Sequence, residues 1–578
     1  MGAQPEYIRP ADVLRAARAG ASMAREAADD VLIEEALGSG ITVALDPIRA
    51  RDVLKLLLSR KAITDAYPRL AGEWLKVAMG LSSIELPNKD VFYGDKVWHD
   101  NGLFRRLAQG HLALTQVFDD IIQQANDDWT DEERAAFVSA IVTSALSPAN
   151  FIPTNPVVLR EAIDTRGKSL ARGLKNFLSD FNENKGMPSM VDASGYQVGE
   201  NLAVTPGKVI YREDIFELIH YAPQTDEVHS RPLLFVPPQV NKYYVLDLAP
   251  GRSMVEYAIQ QGLNTFMLVW RNPRMDPKLG HGNWGLEDYI PALLRAVEIV
   301  KEVTGSADLN TIGLCAGGMS AALAQSHLTS EGDSSIAHAT YIVTMLDARK
   351  RNMVTGLSTE DTHSAMVKRS EKGRVLSSKA MGATFAWMRP KDLVFNYVIN
   401  NWLLGKSSPA FDVLAWNCDG TNVSTTFFRD LNETLNSHAF TKAGRKKLMG
   451  RPIDMQSVTS DAFIVAGQRD HITTWRPCYM SSQLLGGESE IVIVNSGHIQ
   501  TFVNPIKGSR YKYWTGTNGN PDPDAWLAEA EQVDGSWWPK WGEWVTSRSG
   551  PKRKAPKTVG SAAYPPIDDA PGQYVHET

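Results

Sequence analysis

Residues 310–318, Asn310-Thr-Ile-Gly313-Leu314-Cys315-Ala316-Gly317-Gly318, decide how the rest of the chain is read. The apolar run Asn310–Leu314 has strand character, and a helical pattern, Ala316–Leu328, begins at once after it. Between them, Gly313-Leu-Cys315-Ala-Gly317 has the spacing of a strand–turn–helix nucleophile, with cysteine in the serine position. A nucleophile on so sharp a turn sits on strained backbone, and glycines two residues to either side leave room for the neighbouring chain. The helix that follows aims its N-terminal N–H groups at the sulfur, which favours a thiolate. The Ala316 N–H is then placed to stabilise an oxyanion. A small buried thiol beside a glycine-rich turn would fit the pentapeptide alone; strand, turn and helix in this order favour the nucleophile. Cys418 and Cys478 have no such surroundings and read as packing residues.

Working outward, short apolar runs alternate with amphipathic helices from about residue 200, the pattern of a mostly parallel sheet. The runs are Pro232–Val236, Thr265–Trp270, Asn310–Leu314, Thr340–Leu346, Ala462–Ala466 and Glu490–Val494, with helices such as Leu286–Val303 between them. The run Ala462–Ala466 leads into Gly467-Gln-Arg-Asp470-His471, and Glu490–Val494 into Asn495-Ser-Gly497-His498. Both follow the carboxyl ends of strands, where open α/β sheets carry their sites. Nucleophile, acid and base in that chain order indicate an α/β-hydrolase fold. His498 is expected as general base, with Asp470 orienting it or contacting a second substrate. His471 competes as base, but its neighbour Asp470 has little room to support that ring. A second oxyanion amide is expected from the loop after the first of these strands, Val240 or Asn241.

From Cys315 to Asp470 the chain is longer than a bare core requires, so about 347–460 is expected to be an inserted cap that excludes water and admits a bulky acyl chain. Residues 1–190 read as a helical N-terminal domain, with Ala11–Arg18, Pro47–Ser59, Leu103–Ala125 and Thr130–Ala145 helical and Thr130/Glu133 at capping-box spacing. Asp180–Gly199 reads as a linker, and 191–578 as the catalytic domain. The polar tail from Ser549, with its basic run Lys552–Lys554, reads as extended over the surface.

Composition narrows the classes. The 578 residues are 43% hydrophobic and 22% charged, which excludes a disordered chain, collagen and a coiled coil. A net charge of −6 gives no field that would draw the chain to nucleic acid. Three cysteines exclude a disulfide scaffold and suit a reducing compartment. No secretory leader, myristoylation pattern or transmembrane segment is expected. Metal ligands at zinc spacing and dinucleotide glycines are absent, so neither a metal nor a bound cofactor is expected. Ala162–Ser169 approaches a phosphate-binding loop but follows a helix. Gly280-His281-Gly282 resembles an oxyanion dipeptide but reads as a surface turn. The tryptophans of Trp526–Trp544 read as packing a C-terminal helix on the core.

The stretches 236–253 (VPPQVNKYYVLDLAPGRS), 268–274 (LVWRNPR), 313–318 (GLCAGG), 385–405 (FAWMRPKDLVFNYVINNWLLG), 466–475 (AGQRDHITTW), 495–505 (NSGHIQTFVNP) and 535–544 (GSWWPKWGEW) together resemble polyhydroxyalkanoate synthases. Residues 200–212 (ENLAVTPGKVIYR) and the tail are most similar to the single-subunit, medium-chain (class II) type, with class I as the alternative. The resemblance implies polymerisation of (R)-3-hydroxyacyl-CoA into polyester, with CoA as leaving group rather than cofactor. It places the nucleophile on Cys315, the base on His498, and on Asp470 an aspartate that activates the hydroxyl of the growing chain. It further implies a homodimer, an N-terminal domain serving granule association, and location on cytoplasmic inclusions. Arg274 stands where class I members commonly carry Asp, and Leu314 where members commonly carry Phe or Ala. A thioesterase or polyester depolymerase on the same triad is the enzymatic alternative. A granule-coating protein with a vestigial site is the non-enzymatic one.

Overall fold

The computed structural model describes residues 56–125, 129–349 and 375–578, with positions 352, 354, 356, 364 and 368 between the last two stretches. The helix expected at Ala11–Arg18, most of that at Pro47–Ser59, and the Thr130 side chain lie outside the described residues.

Helices come first: α1 Tyr67–Met79, α2 Gly102–Ala125, α3 Trp129–Leu146, α4 Pro156–Asp164 and α5 Lys168–Glu183. Asn155 caps α4, its side-chain oxygen accepting from the N–H groups of Val157 and Val158. Gly167 turns the chain into α5 with φ of 80°. The stretch resembling a phosphate-binding loop is therefore a helix–turn–helix without a preceding strand. The expected linker is still helical at its start, because α5 runs on to Glu183.

Among the described residues eleven strands form one sheet: β1 Gly207–Arg212, β2 Phe216–Tyr221, β3 Leu233–Val236, β4 Thr265–Trp270, β5 Leu309–Leu314, β6 Ile336–Ile342, β7 Ala462–Gly467, β8 Ser489–Val494, β9 Lys512–Thr517, β10 Glu531–Asp534 and β11 Asp568–Asp569. Their order is β10-β9-β8-β7-β6-β5-β3-β4-β2-β1-β11. The six central strands, β4 to β8 across the sheet, are parallel. Antiparallel pairs extend both edges. This is the mixed sheet of an α/β-hydrolase fold.

Both sheet faces are covered, as a parallel sheet requires. Helix α6, Leu286–Thr304, lays Leu293, Ala296, Val297 and Val300 on Leu218, Leu234 and Phe266. On the other face, Trp537, Trp541 and Val545 join Phe235, Met267 and Ile312 in one core, so the C-terminal tryptophans do pack as expected.

Four readings are corrected. Strand β6 begins and ends four residues earlier than expected, because the apolar run continues into a buried loop through Leu346. The tail is integral rather than draped. Lys552–Lys554 pairs with Glu227–His229, Asp568–Asp569 pairs with β1, and Tyr574 and Val575 are buried. His281 is buried and stacked on Trp284 rather than in a surface turn. Cys418 is exposed rather than enclosed, although burial of its thiol pushes the pKa up to about 11.

Between β6 and β7 lies a long insertion whose described residues form helices Ser378–Trp387, Asp412–Cys418 and Thr425–Asn436 and, among strands, two-residue ones only. The N-terminal helices hold on to it. Trp402 Nε1 donates to Asp180 Oδ2 at 2.7 Å, Arg172 Nε to Gly405 O at 3.1 Å, and Asn176 Nδ2 to Asn401 O at 3.0 Å. A Cβ on Gly173 would lie 1.9 Å from Trp402 O, so α5 and the insertion touch backbone to backbone.

Candidate active site

Cys315 stands between β5 and helix α7, Ala316–Ser330, with φ 52° and ψ −120°. A non-glycine residue rarely holds such angles, and the surroundings enforce them here. The Cys315 N–H donates to Ile342 O at the end of β6, and its carbonyl accepts from Met319 N. The flanking glycines are steric necessities. A Cβ on Gly313 would fall 2.5 Å from Gly318 Cα, and one on Gly317 would fall 2.3 Å from both Val236 O and Pro237 O. Helix α7 can thus start close against the loop that leaves β3. Cys315 is only partly buried, whereas Cys478 is fully buried and carries its thiol pKa well up through burial.

Asp470 and His498 meet. Their loops follow the adjacent parallel strands β7 and β8, and His498 Nδ1 lies 2.5 Å from Asp470 Oδ2. The carboxylate is buried and every side of it is occupied. Oδ1 accepts from the N–H groups of Ile472 (2.8 Å) and Thr473 (3.1 Å), and Oδ2 accepts from Thr473 Oγ1 (2.9 Å) as well as from the imidazole. Burial opposes its charge, but His498 and these donors win and hold the Asp470 pKa below the ordinary carboxylate value. Burial likewise opposes charge on His498. The field and hydrogen bond of Asp470, then the Cys315 side chain, outweigh it and raise the pKa to about 10. The arrangement therefore favours the imidazolium, the state that His498 reaches on taking a thiol proton.

The competing base is placed differently. Among the described residues His471 has no hydrogen-bond partner, and its Nδ1 is buried and unsatisfied. Burial, with Arg389 and His498, pulls its pKa down to about 4 against the pull of Asp470. It sits beside the triad as a neutral ring that no acid orients.

The two expected loop amides also separate. The Asn241 N–H donates to Thr421 Oγ1 at 2.9 Å, while among the described residues no acceptor meets the N–H of Val240 or of Ala316. Gln239 Nε2 bonds Ser320 Oγ on α7 at 3.0 Å, holding this loop to the nucleophile's helix. Thr473 is a residue that sequence reading missed; its only signal was a hydroxyl three positions after the acid. Thr421 had no signal at all.

A thiol on a strained elbow, an imidazole bound to a buried carboxylate and two open amides form a constellation able to transfer acyl groups through a thioester. Residues 89–258 match the family model of the N-terminus of poly-beta-hydroxybutyrate polymerase (PhaC), and residues 229–505 match that of the alpha/beta hydrolase fold. Poly(3-hydroxyalkanoate) polymerase 2 of Ectopseudomonas oleovorans is 39% identical over 537 residues, covering 91% of this chain and 95% of the relative. Polymerase 1 of the same organism is 40% identical over 529 residues, covering 91% and 94%. The poly(3-hydroxyalkanoate) polymerase subunit PhaC of Cupriavidus necator is 34% identical over 510 residues, covering 87% and 85%. With similarity this high along nearly the whole length, the chain belongs to the poly(3-hydroxyalkanoate) polymerase family.

Proposed function

We propose that the chain polymerises (R)-3-hydroxyacyl-CoA into polyester, releasing CoA, through a thioester on Cys315. The observation that carries this reading is the elbow cysteine beside the His498–Asp470 pair in a chain of this family. His498 takes the thiol proton, and the sulfur attacks the acyl-CoA carbonyl. The resulting oxyanion rests on the N–H groups of Ala316 and Val240, and the CoA thiolate leaves with the proton from His498. A hydroxyl of the growing chain or next unit then gives its proton to His498 and attacks the acyl carbonyl of the thioester on Cys315 Sγ, and the acyl–sulfur bond breaks as His498 returns the proton to the sulfur. An ester bond forms and the thiol is freed. Exchange of one thioester for another is nearly thermoneutral, so the acyl group stays activated for that hydroxyl. A serine ester would forfeit this.

Asp470 acts through His498 in both halves. In support of this reading, its oxygens accept four hydrogen bonds, from the Ile472 and Thr473 N–H groups, Thr473 Oγ1 and His498. One imidazole therefore moves both protons.

The reading puts the protein at the surface of its own insoluble product, on cytoplasmic inclusions, and as a homodimer. Support for the first point is the row of exposed apolar side chains Ile163, Leu174, Leu178 and Phe181 on α4 and α5. Among the described residues no helix is long and apolar enough to cross a membrane.

Incubation with 3-hydroxybutyryl-CoA and with 3-hydroxydecanoyl-CoA tests the proposal. CoA release with a turbid, insoluble product is the expected result. Free hydroxy acid without polymer would assign the chain to thioester hydrolysis instead, and absence of CoA release from any acyl length would favour a coating protein. Sedimentation at micromolar concentration tests the dimer.

A further inference from the structure

Around Val240, the backbone groups of the loop after β3 are tied to the insertion rather than to the core. The Asn241 N–H donates to Thr421 Oγ1 at 2.9 Å, and the Thr421 hydroxyl in turn donates to Gln239 O at 3.4 Å. Trp416 Nε1 donates to Lys242 O at 2.8 Å. Lys242 Nζ and Tyr244 Oη reach the two oxygens of Asp419 at 2.6 and 2.9 Å. Thr421, Trp416 and Lys242 are all buried.

The loop needs this support. Asn241 sits in the left-handed region at φ 70°, a conformation an L-residue keeps only when its surroundings hold it. The bonds to Gln239 O, Asn241 N–H and Lys242 O lie on either side of Val240, whose own N–H meets no acceptor among the described residues. On its other side the loop lies against the start of α7, where Pro237 O and Val236 O crowd Gly317. The segment Trp416–Thr421 thus stands behind one wall of the oxyanion site and the nucleophile helix behind the other.

The geometry points to Thr421 and Trp416 as positioning residues for the Val240 amide, so that the oxyanion site is complete only when this part of the insertion is docked on the loop. The inference rests on the acyltransferase reading above and adds to it a coupling: docking of the insertion and polarisation of the acyl carbonyl become one event. Neither side chain needs to touch substrate. Misplacing a reactive group by about 1 Å can cost on the order of 100-fold in rate, and a hydrogen-bonded loop released on one side can move that far.

The test is the single-turnover burst of CoA from 3-hydroxydecanoyl-CoA, or from 3-hydroxybutyryl-CoA if that is the better substrate, with KM and melting temperature measured beside it. Thr421→Val keeps the shape and removes the acceptor for the Asn241 N–H. The burst rate should fall roughly 10- to 100-fold with KM little changed. Thr421→Ser, which keeps the hydroxyl, should restore it. Trp416→Phe removes the donor to Lys242 O and should show the same signature; it decides the matter should Thr421→Val fail to fold. A fall in melting temperature with unaltered burst rates in both variants would make the contacts merely structural and overturn the inference, leaving the acyltransferase reading intact. If the unaltered protein gives no burst with either substrate, that reading fails first and the inference fails with it.

Discussion

The N–H of Arg469 donates to the carbonyl of Ser496 over 2.9 Å, so the loop bearing Asp470 and the loop bearing His498 are joined through their backbones. The acid–base distance is thereby set by the sheet and this bond, and a side-chain change at either residue should leave the partner in place.

Asp470→Asn should accordingly remove the charge without moving His498. Burial would then be opposed mainly by the Cys315 side chain, so the imidazole pKa should fall from its raised value and the imidazolium become costlier. CoA release should fall by about 10²- to 10⁴-fold, the range for a mis-supported catalytic histidine. Steady-state kinetics would check it, and near-normal turnover would remove Asp470 from the mechanism.

Stability should carry the signature of the same pair. The His498 pKa is raised from 6.5 to about 10, so its stabilisation is fully present below about pH 6.5 and is lost as pH rises through about 10. Asp470 has a lowered pKa, so its stabilisation is present above the ordinary value of 3.8 and is lost as pH falls below it. The melting-temperature gap between the natural protein and His498→Gln should therefore shrink between pH 7 and pH 10. Melting curves across that range decide, and a gap independent of pH would contradict the pairing.

Gly317→Ala should be severe, because the added methyl meets two backbone carbonyl oxygens, neither of which can rotate away. A loss of about 1–3 kcal/mol or more is expected, together with loss of CoA release. At Gly382, within Ser378–Trp387, an added methyl would meet nothing within 4 Å. Gly382→Ala should instead stabilise by about 0.5–1 kcal/mol, as alanine does in a helix. Urea midpoints of the two variants would show opposite shifts.

Tyr574→Ala probes the tail. The ring is buried, the Arg271 guanidinium lies 4.7 Å from its centre, and its hydroxyl donates to Glu213 O at 2.7 Å. The expected cost is about 3–5 kcal/mol, measured by denaturant titration.

How much of this could be read beforehand follows from where each signal resides. The elbow was legible because steric demand at Gly313 and Gly317 is local and leaves no alternative residue. Asp470 and His498 were legible because each directly follows a buried, mostly apolar parallel strand. The short edge strands β10 and β11 were missed, and so were β1, β2 and β9. They pair antiparallel near the edges and mix Lys208, Arg212, Glu217, His220 and Lys512 with apolar residues, so no uniform run marks them. The buried Glu217 looks like a surface residue until Gln573 N–H, Tyr574 N–H and Arg212 supply its partners. Which of the Val240 and Asn241 N–H groups has an acceptor within the fold was likewise illegible, because the acceptor of Asn241 is Thr421, 180 residues further on.

The junction of β1 and β2 with the tail has a consequence for the order of folding. Tyr574 N–H and Glu217 are 357 positions apart, so this contact cannot form until Tyr574 itself has left the ribosome. Closing so long a loop is entropically slow, which makes this sheet edge a late step. The elbow and both its neighbouring strands are synthesised well before it. A nascent chain can therefore fold its nucleophile region while one flank of the sheet still offers unpaired backbone to other chains.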